Sequence, residues 1–299
     1  MHEMATTEGR NSRTMDLDEF TVHELLTAMN DEDRLVPDAV RRVLPAVERT
    51  VDLAVSALRS GGRLIYQGAG TSGRLGVLDA AECPPTFGVS PGVVLGVLAG
   101  GDAAMFRSEE GAEDSAERGR DDLAALGLTA ADVVIGIAAS GRTPYVLGGL
   151  DYARSVGAST VALSCNPGAA ISAHAEVAIE IDNGPEVLTG STRLKAGTSQ
   201  KLVLNMISTA AMVRTGKAFS NLMVDVAPSN VKLADRVVRI IGEATGCDEA
   251  AARAAADAAD GHAKTAIVMI LADVDAPTAR ARLAAADGFV RAAIRSTES

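Results

Sequence analysis

The chain has 299 residues, of which 47% are hydrophobic, 22% charged and only 3% aromatic, and its formal net charge is −11. That length predicts one large domain with an appendage around an aliphatic, alanine-rich core, and the charge excludes a nucleic-acid or anionic-membrane surface, which would need clustered Lys and Arg. The first twenty residues are polar, and no later run of about eighteen uncharged apolar residues exists, so no membrane partner and a cytoplasmic location are expected.

Residues 1–16 read as a polar, flexible arm, followed by helical segments over 22–29 and 37–60, the second stopped by Gly61-Gly62. From Arg63 the pattern alternates. Strands are predicted near 63–67, 93–98, 132–138, 159–164 and 176–181. Helices are predicted near 73–81, 103–126, 144–156 and 198–215. Strands alternating with helices imply an α/β fold, a parallel sheet flanked by helices on both faces. After Val231 alanine-rich segments broken at Gly246, Gly261 and Pro277, with Asp248 and Asp275 as N-caps, predict a small C-terminal helical bundle. The expected division is 1–60 for an N-terminal arm and helices packing on the core, 61–230 for the α/β domain and 231–299 for the bundle. Cys83, Cys165 and Cys247 are scattered and odd in number, which fits reduced thiols and neither a disulfide framework nor a zinc spacing. No metal or organic cofactor is expected.

Two loops follow predicted strands and share a Ser-Gly-Arg core, Gly68-Ala-Gly-Thr-Ser-Gly-Arg74 and Ala138-Ala-Ser-Gly-Arg-Thr143. Glycines and hydroxyls between a strand and a helix offer N–H groups, hydroxyl donors and a helix N-terminus to one small volume, which suits a phosphate. Ser72, Ser140 and Thr143 can donate hydroxyls, and the N–H groups of Gly73, Gly141 and Arg142 can complete a nest. The bland alternative makes these residues helix N-caps only. Gly68-x-Gly70-x-x-Gly73 also matches a dinucleotide fingerprint, but the first acidic candidate for a ribose, Asp102, lies too far along, and the second loop lacks the pattern.

The stretch Gln67-Gly-Ala-Gly-Thr-Ser-Gly-Arg-Leu-Gly-Val-Leu-Asp-Ala-Ala-Glu-Cys-Pro-Pro-Thr-Phe87 resembles the signature of the N-acetylmuramic acid 6-phosphate etherases, within the sugar isomerase (SIS) superfamily. The resemblance runs almost end to end, through Thr7-Glu-Gly-Arg-Asn11, Asn30-Asp-Glu-Asp33, Glu110-Gly-Ala-Glu-Asp114, Ala138-Ala-Ser-Gly-Arg-Thr-Pro-Tyr145, Ser164-Cys-Asn-Pro167, Thr189-Gly-Ser-Thr-Arg-Leu-Lys-Ala-Gly-Thr198 and Asn221-Leu-Met-Val-Asp225. It implies an SIS-type fold, cleavage of the D-lactyl ether of N-acetylmuramic acid 6-phosphate without metal or cofactor, and a homodimer. It also implies that Glu82 and Glu113 are the functional glutamates and that Ser72 and Ser140 to Thr143 hold the sugar phosphate.

Elimination of lactate from the ring-opened sugar needs a base at C2 and an acid at the departing oxygen, which two carboxyl groups with different pKa values can supply. Glu82 is expected where helix 73–81 ends before Pro84-Pro85, and the negative helix terminus there would favour its protonated, acid form. Glu113 falls on an acidic stripe, with Glu110, Asp114 and Glu117, along helix 103–126, which by itself reads as a solvated face; the resemblance makes it the candidate for handling the C2 proton, with the base and water-activating roles both open. Arg74, Arg142 and Lys195 are candidate partners for the phosphate or the lactyl carboxylate. The segment from Asn183 to Thr198 reads as a loop that closes over the sugar. Rival readings are a non-catalytic sugar-phosphate regulator, an aldose–ketose isomerase and, last, a nicotinamide dehydrogenase.

Overall fold

The computed structural model of the protein describes residues 6–107, 109, 111–226 and 231–295. Five aliphatic runs form parallel strands, β1 (Leu64–Gly68), β2 (Val94–Leu98), β3 (Val133–Ala138), β4 (Ser159–Ser164) and β5 (Val177–Glu180), in the spatial order β2-β1-β3-β4-β5. Of the three interior strands, β1 and β3 are buried along their whole length and β4 beyond its first residue, as a sheet covered on two faces requires. Gly68 at the end of β1 is in register with Leu98 on one side and Ile137 on the other.

Alternation along the strands sends successive side chains to opposite layers. On one face Ile65, Val134, Ala138 and Ala162 pack with Leu123 of α5 (Ala116–Ala125) and with Tyr145, Val146 and Leu150 of α6 (Pro144–Ser155). On the other face α4 (Gly70–Phe87) rides so close to β1 that a Cβ on Gly76 would meet Tyr66 Cβ at 2.8 Å. The helix after β1 and the helix after β3 thus cover opposite faces. Three further helices, α1 (Val22–Asp33), α2 (Val36–Arg42) and α3 (Leu44–Arg59), precede the sheet, and α7 (Lys195–Arg214) follows it. α1 begins with a capping box in which Thr21 and Glu24 exchange side-chain-to-backbone bonds.

Of the described residues, those up to Ala81 together with Gly92–Ser208 form one compact unit, and Glu82–Pro91 with the residues from Thr209 onward form another. The second unit holds a two-strand hairpin, β6 (Ala218–Phe219) and β7 (Leu222–Met223), and α8 (Val231–Thr245), α9 (Glu249–Ala258), α10 (Ala263–Ala272), α11 (Ala276–Ala285) and α12 (Val290–Arg295). Its core is Val237, Ile240 and Ile241 against Ala252, Ile267, Leu283 and Val290. Asp248 and Asp275 cap α9 and α11, accepting from the N–H groups of Ala251 and Thr278. Among the described residues no helix is long and apolar enough to cross a membrane.

Three segments differ from expectation. Residues 6–16 are anchored: Thr7, Asn11 and Thr14 are buried, Asn166 bonds Thr6 and Thr7, and Thr14 Oγ1 donates to Val187 O at 2.8 Å. A polar segment can be fixed by side-chain-to-backbone bonds, which hydropathy does not register. The helix expected over 103–126 is two 3₁₀ turns, Asp102–Met105 and Ala112–Asp114, before α5. Gly111 in the left-handed region (φ 79°) and Ser115, whose side chain caps α5 through Arg118 N, restart the chain there. Finally, α4 continues through Pro84 and Pro85 to Phe87. The missing N–H bonds weaken that last stretch, while Cys83 and Phe87, one helical turn apart, are both buried.

Candidate active site

In an open α/β sheet of strand order 2-1-3-4-5, the loops after β1 and β3 depart to opposite faces and leave a crevice between them at the carboxyl ends of the strands. The two Ser-Gly-Arg loops are these two loops. Their backbone is set by glycine. Gly70 has φ 54° and opens α4 two residues after β1 ends, while a Cβ on Gly68 would meet both Gly73 N and Ile137 O at 2.9 Å. Gly141 has φ 69°.

The donors differ in part from those read in the sequence. Because α4 starts at Gly70, the Gly73 N–H is already an intrahelical donor, to Ala69 O at 3.1 Å. Gly141 N–H donates to Ala138 O at 3.0 Å and Arg142 N–H to Ser140 Oγ at 3.3 Å. The first-turn N–H groups left outside the helix ladder belong instead to Gly70, Thr71 and Ser72. Gly73 and Gly141 thus shape the loops by close approach: a side chain at Gly73 would collide with Gly68 O, and one at Gly141 with Ala169.

Of the hydroxyls, those of Ser140 and Thr143 are free to donate. Thr143 is the N-cap residue of α6 yet its side chain makes no capping bond, so the bland reading does not hold for it. Ser140 Oγ accepts from Arg142 and keeps its proton to donate. Ser72 Oγ donates to Gln200 Oε1 of α7 at 3.0 Å. Arg142 is exposed, and Arg74 Nε donates to Ala104 O and Met105 O at 3.0 and 3.2 Å, fastening the first 3₁₀ turn to the first loop.

Lys195 does not present its ammonium to a ligand. It is 1% exposed and donates to Glu32 Oε2 at 2.5 Å and to Asn183 O at 2.9 Å, with Arg13 on the other oxygen of Glu32. Burial pushes the Glu32 carboxyl up, but Lys195, Asn11 and Arg13 outweigh it and hold it below the ordinary value. Glu186 accepts from the N–H groups of Lys195 and Ala196 at the start of α7, and burial outweighs those bonds and raises its pKa. Of the segment from Asn183 to Thr198, expected to close over the sugar, the part from Asn183 to Lys195 is therefore bolted at both ends in a buried network.

Glu82 is an exposed residue inside α4, since the helix runs on to Phe87, and so does not stand at a helix terminus. Glu113 is exposed on the 3₁₀ turn Ala112–Asp114 in the other unit. The helical stripe expected around it is absent, with Asp114 on the same short turn and Glu117 in the first turn of α5; Glu110 lies outside the described residues. Cys83 is buried beside Glu82, and Cys165 is a buried thiol that desolvation pushes up to about 12. Among the described residues no three His, Cys, Asp or Glu side chains gather as a metal site. Sequence reading missed Gln200 and Glu32. The only signal for Gln200 was one amide at the head of an apolar helix, and Glu32 was marked only as part of the Asn30–Asp33 motif, with no role attached.

Sheet order, crevice and hydroxyl loops define an SIS-type sugar-phosphate fold, and two family descriptions match accordingly, the glucokinase regulatory protein N-terminal SIS domain over residues 46–154 and the SIS domain over residues 117–210. N-acetylmuramic acid 6-phosphate etherases of Exiguobacterium sp. and Mycolicibacterium smegmatis are 60% and 59% identical, over 98% and 96% of this chain and 100% and 97% of theirs. The etherase 2 of Lactiplantibacillus plantarum is 58% identical over 98% of this chain and 99% of its own. The chain belongs to the N-acetylmuramic acid 6-phosphate etherase family. Among solved structures, the phosphoheptose isomerase GmhA of Neisseria gonorrhoeae gives a TM-score of 0.47 at 18% identity, covering 64% of this chain and 98% of that one.

Proposed function

We propose that the protein is a carbon–oxygen lyase that cleaves the D-lactyl ether of N-acetylmuramic acid 6-phosphate to give N-acetylglucosamine 6-phosphate and D-lactate. The observation that carries this reading is identity of 58–60% with etherases over nearly the whole chain. The phosphate is held in the crevice between β1 and β3 by the hydroxyls of Ser72, Ser140 and Thr143, the first-turn N–H groups of α4 and the Arg142 guanidinium. Gly73 and Gly141 give the loops their shape, and Lys195 anchors the segment before α7.

With the sugar ring open, the C1 aldehyde acidifies the C2 proton and places the lactyl oxygen β to the carbonyl. Glu113 takes the C2 proton, the C2–H electrons form the C2=C3 bond, and the C3–O bond breaks as Glu82 protonates the leaving lactate. Water then adds to C3 and C2 regains a proton. Both carboxyls are exposed, which fits groups that meet a ligand rather than the core. The supporting framework is a functional division into an SIS domain over 61–230 and a helical bundle over 231–299. Cytoplasmic recycling of wall fragments and a homodimer complete the reading, the latter favoured by the exposed apolar side chains of Val22, Leu26 and Phe106.

Incubation with N-acetylmuramic acid 6-phosphate is expected to release D-lactate. In heavy water deuterium should appear at C2, and labelled water should leave its oxygen on C3 of the sugar. Glu82→Ala should abolish release while retaining phosphosugar binding. Label in the lactate would refute elimination, and tight binding with no product at high enzyme concentration would leave a non-catalytic binder.

A further inference from the structure

Gln200 is 1% exposed on α7, its Oε1 accepts the Ser72 hydroxyl proton at 3.0 Å, and its Nε2 is buried without a hydrogen-bond partner among the described residues. A serine hydroxyl has one proton, so an Oγ that gives it to Gln200 offers a phosphate only lone pairs. The unmatched amide hydrogens sit on the other end of the same planar group. A half-turn of that amide, about a soft terminal torsion, exchanges its ends. Nε2 then donates to Ser72 Oγ, the orphaned donor is satisfied, and the hydroxyl proton is released toward the loop.

We propose that Gln200 is a positioning residue for the phosphate of the substrate: its amide donates to Ser72 and thereby aims the Ser72 hydroxyl proton at a phosphate oxygen. The ligand class so selected is a phosphate dianion, which accepts hydrogen bonds and offers none. The inference rests on the reading of Ser72 as part of the phosphate cradle.

The test compares Gln200→Met, which keeps the volume and removes the amide, and Gln200→Glu, which keeps the shape and only accepts. Both are studied with Ser72→Ala and with the Ser72→Ala/Gln200→Met double variant. Affinity for N-acetylglucosamine 6-phosphate is measured by calorimetry, kcat and KM by lactate release, and thermal unfolding confirms that each protein is folded. Gln200→Met is expected to weaken binding and raise KM about tenfold while kcat falls less than about threefold, and Gln200→Glu to be worse. In the Ser72→Ala background Gln200→Met should add less than about twofold, because the two residues act as a unit. Additive losses, or native affinity in Gln200→Met, overturn the proposal. If Ser72→Ala itself leaves phosphosugar affinity unchanged, the cradle reading falls; if it weakens binding and Gln200→Met does not, only the role of Gln200 falls. Should Gln200→Met fail to fold, Gln200→Glu decides the matter by the same affinity comparison.

Discussion

Lys195 illustrates how burial decides what a charge can do. On an exposed loop a lysine is a plausible phosphate ligand, but here its ammonium is enclosed with Glu32 and the Asn183 carbonyl. Removing Lys195 takes the buried partner from a carboxylate that then keeps only Asn11 and the half-exposed Arg13, so Lys195→Met is expected to destabilise the fold by about 3 kcal/mol. Urea unfolding would measure it. Part of the loss should be recovered when Glu32→Leu is added, because the under-compensated buried carboxylate is then removed too. A neutral effect of Lys195→Met would contradict the pairing. Hydroxyls behave differently, since an uncharged donor such as Thr143 can wait at a helix start at little electrostatic expense. Thr143 makes no capping bond there, whereas the ammonium of Lys195 is already spent on its own network.

Among the elements, α5 and α6 are packed through glycine on both sides. A Cβ at Gly148 would run into Ala116 O, and one at Gly119 into Tyr145 O, both far inside van der Waals contact and both against backbone that cannot step aside. Gly148→Ala should therefore push the helices apart and lower stability by about 3 kcal/mol despite the better helix propensity of alanine. A shifted urea midpoint is the readout, and an unchanged or raised midpoint would disprove the contact. The strands, their order of appearance and the loops were legible because aliphatic runs and glycine punctuation are local signals. What was not legible was decided at a distance. Pro84-Pro85 looked like a stop, yet Cys83 and Phe87 are buried on the continuing turn. Gly111, inside the helix expected over 103–126, adopts φ 79°. The polar residues 6–16 carry no hydropathic pattern, and their anchors, Asn166 and Val187, lie more than one hundred and fifty positions away in sequence. Gln200 and Glu32 are buried polar groups whose partners come from other elements, so no periodicity could announce them.

Across the whole molecule, a chain of net charge −11 holds, among the described residues, three buried carboxylates whose lowered pKa values couple folding to pH. Burial alone would raise the Asp225 carboxyl, but His262, Lys264 and Lys217 hold it at about 2 against an ordinary 3.8. Asp132, also buried, is held down by Arg63 and Thr129 N–H, and Glu32 by its own partners. A depressed pKa contributes stability above the unfolded value and loses it as pH falls through the folded one, so for Asp225 the window is roughly pH 4 to pH 2 and the amount about 2 kcal/mol. Glu186 acts in the opposite sense, because its raised pKa contributes below the ordinary value and is lost as pH climbs. Asp225→Asn should therefore unfold at lower urea than the unmodified protein at neutral pH, with the gap narrowing below pH 4. A gap of constant size from pH 7 to pH 3 would show that Asp225 is not the titrating group.

The bolted stretch between Asn183 and Lys195 bears on how ligands are received. Its ordering entropy is spent once, when the polypeptide folds, and not again at every turnover. Whatever the protein binds therefore meets ends of this stretch that are already held, and no part of the binding free energy goes into ordering them.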